Sequence, residues 1–320
     1  MLNEAKIIAN LKAKFPEHIG DDAAIIEQTG NQSYVVTKDL LVEDVHFRTS
    51  YFAPLNLAHK ALHVNLSDLA AMGATPKFVL LGISMPMSQQ KYVEDFVSNF
   101  TAVCKAESVI LIGGDTTKSA DKIFISITAI GTALTGSIKR RNSAKTEDLI
   151  CVVGDLGAAH LGFIASEQSL VGFEDYKKAF LHPTARVNEG IWLGKQEDVT
   201  SLMDISDGLF VDLKRLCEAS ALQGTIDLAR IKPDKKFCDA CEALEIDPIE
   251  TMISGGEDYT LLFTVKESQY KEISNNFIQK FGYPIKQIGS VTTGEGVRFI
   301  LNGQPQKLNL KSFSHFGESI

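Results

Sequence analysis

The stretch LNLAHKALHVNLSDLAAMGATPKFVLLGISM, residues 55–85, carries two periodicities that together predict the fold class. In residues 55–72, apolar side chains recur at intervals of three and four, which is typical of a long helix with a buried face. Residues 77–85 form an apolar run whose length suits a buried strand. A helix followed at once by a strand predicts domains in which helices and strands alternate.

The same alternation continues along the chain, so we expect an α/β to α+β fold. A polar, basic segment at 134–148 has no apolar periodicity and reads as a crossover between two domains, which we place at 1–137 and 138–320. The apolar patterns predict helices at 3–14, 90–107, 182–196 (with a proline in its first turn), 209–222, 235–245 and 267–281, and strands at 23–28, 33–42, 109–113, 122–133, 149–154, 201–205, 259–265, 284–291 and 297–301.

Composition restricts the class of protein. The chain has 320 residues, of which 44% are hydrophobic, enough for two globular domains. Its formal net charge is −8 and its one basic tract is KRR at 139–141, which argues against a nucleic-acid partner. The N-terminus is charged throughout, and the most apolar stretch, 78–87, is too short to span a bilayer. We therefore expect a soluble, cytoplasmic protein that does not bind membranes.

The five cysteines do not predict a disulfide framework, because their number is odd and the chain is long. Cys238 and Cys241 form a CxxC pair within KKFCDACEALE, where a spacing of three is one face of a helix. A zinc site would need a second pair of ligands. We therefore expect these two cysteines to be structural, with no role in metal or redox chemistry.

Aspartates stand beside the ends of many apolar segments. Taken singly, each suits a helix cap or a turn, but Asp68 lies inside a helical pattern, where a carboxylate needs a partner. Two glycines precede Asp115, and we expect the strand to end there with an open backbone. Together the carboxylates resemble a divided site for several magnesium ions that bridge a polyphosphate. The aspartates are Asp22, Asp39, Asp68, Asp115, Asp204 and Asp207.

Other candidate residues leave two interpretations open. Arg141 suits a phosphate, but an arginine on a loop is as often solvated. His46 follows an acidic strand, although lone histidines are mostly surface or core residues. His59 and His63, one helical turn apart, lack a third ligand and are interpreted as helix-face residues. Phe316 either fills a core or covers a pocket. The chain has no P-loop, dinucleotide, zinc-protease or hydrolase motif.

Six strings occur in an order that resembles the thiamine-monophosphate kinase family, of the aminoimidazole-ribonucleotide synthetase superfamily. The resemblance extends from about residue 19 to the HF pair at 315–316, and NLSDLAAMGA and SGGEDY are its most specific parts. The strings are IGDDAA (19–24), DLLVEDVHF (39–47), KALHVNLSDLAAMGATP (60–76), LIGGDTT (111–117), DISDGL (204–209) and GGEDYTLLF (255–263).

The resemblance implies a two-domain fold whose N-terminal sheet completes a barrel across a homodimer. It implies transfer of the ATP γ-phosphoryl group to thiamine phosphate, which gives thiamine diphosphate and is the last step of that cofactor's biosynthesis. The acceptor phosphate is largely dianionic at neutral pH, so the direct transfer needs no general base and no covalent nucleophile. Several magnesium ions would offset the repulsion between the two anions.

The resemblance also assigns residues to roles. Magnesium ligands fall on Asp22, Thr37, Asp39, Asp68, Asp115, Asp204 and Asp207; ATP contacts on Gly114, Asp115, Arg141 and Ser206; acceptor contacts on His46, Glu257 and Phe316; and Asp207 with Arg141 would position the transition state.

Four residues depart from the family pattern. Lys38 replaces a hydroxyl residue beside Asp39, which leaves one metal contact in doubt. Asp44 replaces a glycine, and Ser143 and Glu147 replace glycines in the loop after Arg141.

Rival functions within the superfamily fit less well. Hydrogenase-maturation dehydratases end in a catalytic cysteine, whereas no cysteine follows Cys241 here. Selenophosphate synthetases carry a reactive residue near the N-terminus, whereas the first cysteine here is Cys104. Aminoimidazole-ribonucleotide synthetase is the nearest alternative, and a non-catalytic dimer that senses metal or nucleotide is another. Turnover of ATP in the presence of thiamine phosphate separates these alternatives.

Overall fold

A computed structural model describes residues 4–15 and 19–310. The first half is built on a five-stranded mixed sheet in the order β1-β2-β5-β3-β4, in which β3 and β4 are parallel and the other pairs antiparallel. Its elements are α1 (Glu4–Lys14), β1 (Ala24–Glu27), β2 (Gln32–Val42), α2 (Pro54–Ala71), β3 (Thr75–Met85), α3 (Gln90–Ala106), β4 (Ile110–Lys118) and β5 (Phe124–Leu134).

The second half is built on a seven-stranded mixed sheet in the order β12-β11-β8-β10-β6-β9-β7. Its strands are β6 (Leu149–Val153), β7 (Val199–Ile205), β8 (Gln223–Asp227), β9 (Thr260–Val265), β10 (Lys286–Thr292), β11 (Gly296–Leu301) and β12 (Gln304–Gln306). Its helices are α4 (Ala158–Glu167), α5 (Glu174–Leu181), α6 (Val187–Gly194), α7 (Leu209–Ser220), α8 (Lys235–Ala243), α9 (Pro248–Ser254) and α10 (Tyr270–Phe281).

Helix α2 is the central element, because both halves pack on it. It begins with a proline at a position where the missing N–H costs nothing, and nearly all its side chains are buried. One side of α2 faces the first sheet. On the other side, Gly190 of α6 approaches so closely that a Cβ added to it would lie 2.2 Å from the carbonyl oxygen of Ala70. Tyr259 and Phe180 of the second half also belong to the core around α2. The fold therefore holds α2 rigidly between two layers.

Most of the predicted elements are confirmed, and two boundaries are wrong. The strand expected to stop at Gly113 continues to Lys118, because it pairs in parallel with β3 as far as Met85. The helix expected over 182–196 begins only at Val187. The preceding segment is non-helical, and the Ala185 N–H donates to His63 Nδ1 at 3.3 Å. The apolar patterns also missed α4, α5, α9, β8 and β12, all ten residues or shorter.

Strand β4 lies at an edge of the first sheet, and its side chains are exposed along almost its whole length. Ile110 is 59% exposed and Ile112 51%. Apolar side chains along a bare sheet edge are a surface that proteins usually cover. Among the helices in the described part of the chain, none is long and apolar enough to cross a membrane.

Candidate active site

A cavity of about 510 Å³ opens between the two halves of the molecule. The first half contributes Asp39, His46 and Asp68 to its wall, and the second contributes Asp204 and Glu257. Each half therefore supplies acidic groups, and the site exists only when the two halves are packed together.

Three carboxylates converge at the edge of this cavity, and two of them, Asp68 and Asp204, line it. Asp22 precedes β1, Asp68 lies on α2 and Asp204 on β7, and each offers an oxygen within 4.8 Å of the other two. Two hydroxyl groups orient them: Thr37 Oγ1 donates to Asp68 Oδ2 at 2.5 Å, and Ser67 Oγ donates to Asp204 Oδ2 at 2.6 Å. In the described residues, this is the one group of three or more acidic, histidine or cysteine side chains close enough to share a cation.

The electrostatics of this carboxylate triad favour a bound cation. Burial, followed by the charges of Asp39, Asp204 and Asp22, raises the pKa of Asp68 well above its usual range. Burial and the charge on Asp22 likewise raise the pKa of Asp204, and burial raises that of Asp39 to about 6. Buried carboxylates that repel one another need a counter-charge to stay ionised. Oxygen ligands in such a set match the preference of a hard divalent ion.

Arg141 closes one side of the triad. Its guanidinium forks onto Asp22, with Nε 3.1 Å from Oδ2 and Nη2 bonded to Oδ1. The neighbouring Asp21 accepts from the Arg141 backbone N–H at 2.9 Å and from Arg140 at 3.1 Å. Two adjacent acids thus hold two adjacent arginines, which orders the basic crossover loop beside the carboxylates.

A second acidic group lies at the turn between β7 and α7. Asp212 Oδ2 accepts the backbone N–H groups of Ser206, Asp207 and Gly208, at 3.0, 3.0 and 3.2 Å. Arg215 Nη1 bridges Asp212 Oδ1 at 2.8 Å and Asp207 Oδ2 at 2.6 Å. This turn cluster, Asp207, Asp212 and Arg215, keeps one net negative charge, but Asp212 has four donors within the chain, whereas Asp68 and Asp204 of the carboxylate triad have one hydroxyl donor each.

Two predicted acceptor contacts line the same cavity. The Val42 N–H donates to His46 Nδ1 at 3.0 Å, so the neutral ring carries its proton on Nε2. Glu257 Oε1 lies 2.8 Å from Nζ of Lys60, whose side chain is 1% exposed. Glu257 has φ of +67°, a conformation uncommon for a residue with a side chain. The backbone here is held in an unusual shape that presents the carboxylate to Lys60.

Helix α4 forms an aromatic and acidic part of the wall. Phe163 is 41% exposed and lies edge-on to Phe180 at 5.6 Å between ring centroids. Glu167 accepts from the Tyr51 hydroxyl at 2.5 Å and pairs with Arg48 at 3.2 Å. The apolar patterns of the sequence did not predict helix α4, so the sequence analysis did not identify these residues.

The remaining candidates lie elsewhere. Gly114 and Asp115 are on the exposed edge strand β4 and do not line the cavity of this chain. Lys38 Nζ donates to Ser126 Oγ at 2.6 Å, on the opposite sheet face from Thr37 and Asp39. Phe316 lies outside the described residues.

Two of the residues that replace a family glycine have a positive φ angle. Asp44 has φ of +68° and Glu147 of +74°, the left-handed region in which glycine is favoured. An ion pair with Lys122 holds the Asp44 side chain. Both positions therefore keep the backbone shape that glycine would give, at some cost in strain.

The cysteine and histidine pairs have structural settings. Cys238 and Cys241 are free thiols one turn apart on α8, as predicted. His59 and His63 were expected on a helix face, but they are buried and stack with His182, with ring centroids 3.8 Å apart for His59–His63 and 3.2 Å for His59–His182. Burial lowers the pKa of all three rings, that of His63 to about 4 and that of His59 to about 3, which favours their neutral forms.

Lys60, Asp212 and Arg215 also escaped the sequence analysis. The sequence does contain a signal for Lys60. This charged residue lies eight positions before Asp68, on the same face of a helix whose pattern is otherwise apolar. Asp212 and Arg215 look like ordinary residues of an amphipathic helix, and only the turn that precedes α7 gives them partners.

Known protein families match both halves of the chain. The family described as "AIR synthase related protein, N-terminal domain" matches residues 20–133, and the corresponding C-terminal domain family matches 145–302. A thiamine-monophosphate kinase from Haemophilus influenzae is 34% identical over 309 residues, which cover 94% of this chain and 92% of that protein.

Solved structures agree in fold. The structure "AaThiL complexed with AMPPCP and TMP" superposes with a TM-score of 0.86 at 30% identity, covering 98% of this chain and 97% of the other. The thiamine-monophosphate kinase of Stenotrophomonas maltophilia K279a gives 0.77 at 30% identity, with 94% and 96% covered. The two-domain arrangement with two mixed sheets is thus confirmed.

Proposed function

The chain belongs to the thiamine-monophosphate kinase family, and from this membership we propose that it transfers the γ-phosphoryl group of ATP directly to thiamine phosphate, giving thiamine diphosphate. The observation that carries the proposal is the convergence of Asp22, Asp68 and Asp204 beside Arg141, with Asp68 and Asp204 lining a cavity large enough for both substrates' phosphates. A relative of the same fold is described as a complex with an ATP analogue and TMP, which supports the choice of substrates.

Magnesium fits the donor set of the carboxylate triad. The oxygens of Asp22, Asp68 and Asp204 would hold it, and Thr37 and Asp39 stand beside them. When bound, the ions supply the positive charge that lets two phosphate groups approach each other. Asp115 and Asp207 complete the proposed ligand set.

The protein's own side chains orient the nucleotide. Arg141 is fixed by Asp22 and can turn a donor toward a phosphate oxygen, which stabilises charge as the phosphoryl group moves. Ser206 and Asp207 sit on the turn that Asp212 organises, and Gly114 offers open backbone on β4. Arg141 and Asp207 therefore position the transition state in this scheme.

The acceptor is held by His46, Glu257 and Phe316. His46 carries its proton on Nε2 in the neutral ring, so that nitrogen donates a hydrogen bond and does not accept a proton. A phosphate acceptor is already ionised at neutral pH, so this scheme uses no general base. Phosphoryl transfer depends mainly on positioning and charge stabilisation, which are what these residues provide.

A homodimer is part of the proposal. The bare, partly apolar edge strand β4 would be covered if the first sheets of two chains met and formed a barrel. Such an assembly would also bury Gly114 and Asp115, which gives them a setting that the single chain lacks. We keep the domain boundary at 137/138, with the first domain for ATP, metal and dimerisation, and the cytoplasm as the expected location.

The proposal is tested by comparing acceptors. The enzyme is incubated with ATP and magnesium and either thiamine phosphate or thiamine, and thiamine diphosphate is measured by chromatography. We expect turnover with thiamine phosphate and none with thiamine, whose hydroxyl would need a base. In a parallel experiment with γ-labelled ATP alone, we expect no labelled protein. Comparable turnover of thiamine, or a phosphoenzyme competent for transfer, would contradict direct transfer to a phosphate.

A further inference from the structure

Helix α2 presents a stripe of three residues to the cavity: Lys60, Val64 and Asp68. They are spaced by four, so they lie on one face of the helix. Lys60 and Asp68 are eight residues apart, which is about 12 Å along the axis. The carboxylate triad is thus at one end of a rigid stripe, and the Lys60–Glu257 ion pair is at the other.

The surroundings of Lys60 fix its ammonium group in one place. Nζ lies 4.0 Å from the centroid of the Phe180 ring and 5.2 Å from that of Phe52, besides its 2.8 Å contact with Glu257 Oε1. The lysine side chain is 1% exposed, whereas that of Glu257 is 31% exposed. The lysine is therefore buried against the cavity wall, and the glutamate is the more exposed partner of the pair.

This pairing changes what Glu257 can recognise. Its negative charge is already matched by a buried ammonium, so it offers the ligand little net charge to attract a cation. The carboxylate still has lone pairs on the side that faces the cavity, and these accept hydrogen bonds. Lys60 pairs with Oε1 of Glu257, and Oε2 can accept a hydrogen bond from an N–H group on a flat ring.

Resting on the proposed function, we propose that Lys60 is a positioning residue for the acceptor: it holds the Glu257 carboxylate as a hydrogen-bond acceptor for the amino group of an aminopyrimidine ring. Thiamine phosphate has that amino group at one end and its phosphate at the other. The stripe on α2 therefore sets the distance between the group that identifies the acceptor and the site where its phosphate reacts.

The experiment measures kcat/KM for thiamine phosphate and for oxythiamine phosphate, in which a carbonyl oxygen replaces the amino group. The wild type should prefer thiamine phosphate. Lys60→Met keeps the length of the stem without the charge, and it should raise KM for thiamine phosphate about tenfold while KM for ATP stays within about twofold. In both Lys60→Met and Glu257→Gln, the preference for thiamine phosphate over oxythiamine phosphate should shrink.

The control is Lys266→Met, which removes an exposed lysine that directly follows β9 and pairs with Asp198. It should match the wild type in every constant. The double variant Lys60→Met/Glu257→Gln should lose no more preference than the worse single variant, because both changes act on one contact.

The outcomes separate the inference from the function. If the wild type phosphorylates thiamine phosphate but both single variants keep its full preference over oxythiamine phosphate, the inference is wrong and the function stands. A Lys60→Met protein that melts earlier with unchanged KM and preference would show a purely structural lysine. If Lys60→Met does not fold, Glu257→Gln alone decides, since it leaves the lysine in place. Absence of wild-type turnover would overturn the proposed function and the inference with it.

Discussion

Two acidic groups at the same cavity differ in how their charge is matched. In the turn cluster, Asp212 accepts three backbone N–H groups and shares Arg215 with Asp207, so its oxygens find their donors within the fold. In the carboxylate triad, Asp68 and Asp204 receive one hydroxyl donor each and repel their neighbours. The first arrangement stabilises the protein, whereas the second is unfavourable until a cation arrives from outside.

The difference indicates which acids serve structure and which serve binding. A carboxylate whose partners are all in the chain contributes to stability, and its removal leaves donors unsatisfied. Burial raises the pKa in both groups, and that of Asp212 to about 7, so the number of donors is what separates them. A buried carboxylate with one donor and several like charges around it gains from losing its charge. Activity and stability should therefore respond in opposite ways to substitutions in the two groups.

The largest expected effect is on activity in the carboxylate triad. Asp68→Asn removes one ligand and one charge from the proposed magnesium site, and it should lower kcat/KM at least a hundredfold, about the size of losing a key electrostatic contact. Without magnesium, its melting temperature should equal or exceed that of the wild type, because repulsion with Asp39 and Asp204 is gone.

The measurement pairs steady-state kinetics with thermal unfolding in buffer that contains a chelator. Asp95→Asn is the control, since that exposed carboxylate pairs with Lys91 on α3. Near wild-type turnover for Asp68→Asn at ordinary magnesium concentration would remove the triad from the reaction. A large fall in its melting temperature would show instead that Asp68 serves the fold.

The next effect is on stability in the turn cluster. Asp212→Ala leaves three backbone N–H groups without an acceptor and frees Arg215 from one of its partners. Because Asp212 is fully buried, we expect the free energy of unfolding to fall by about 3–5 kcal/mol. Urea unfolding measures it, and Asp239→Ala, on the exposed Lys235–Asp239 pair, is the matched control.

A stability loss for Asp212→Ala no greater than that of Asp239→Ala would contradict the comparison, since both groups of acids would then be structurally dispensable. A loss of activity alone, with no change in urea midpoint, would move Asp212 from structure to binding. Urea unfolding and steady-state kinetics on the same variants distinguish these outcomes.

Much of the fold and part of the site could be predicted from the sequence. The helical pattern around Asp68 and the strand pattern around Asp39 were correct, because long periodic segments determine their own secondary structure. The short helices α4 and α5 were missed, since their few turns are stabilised by packing on the first half more than by their own sequence. Long-range partners such as Lys60 with Glu257, 197 positions apart by their numbers, have no local signature.

The smallest expected effect concerns Lys38, which lies between Thr37 and Asp39 in the sequence but on the other face of the sheet. Lys38 and its neighbours Thr37 and Asp39 alternate across β2, so the lysine faces the other side of the sheet and donates to Ser126. Lys38→Thr, which restores the hydroxyl typical of the family, should therefore leave the magnesium dependence of the rate unchanged within about twofold, since no ammonium leaves the site. Lys91→Thr, on the exposed face of α3, controls for the loss of one surface charge. A magnesium titration that shifts in Lys38→Thr and not in the control would contradict this expectation. The Lys38 ammonium would then act on the triad through the sheet or through a second chain, and its partner Ser126 on β5 would belong to the site as well.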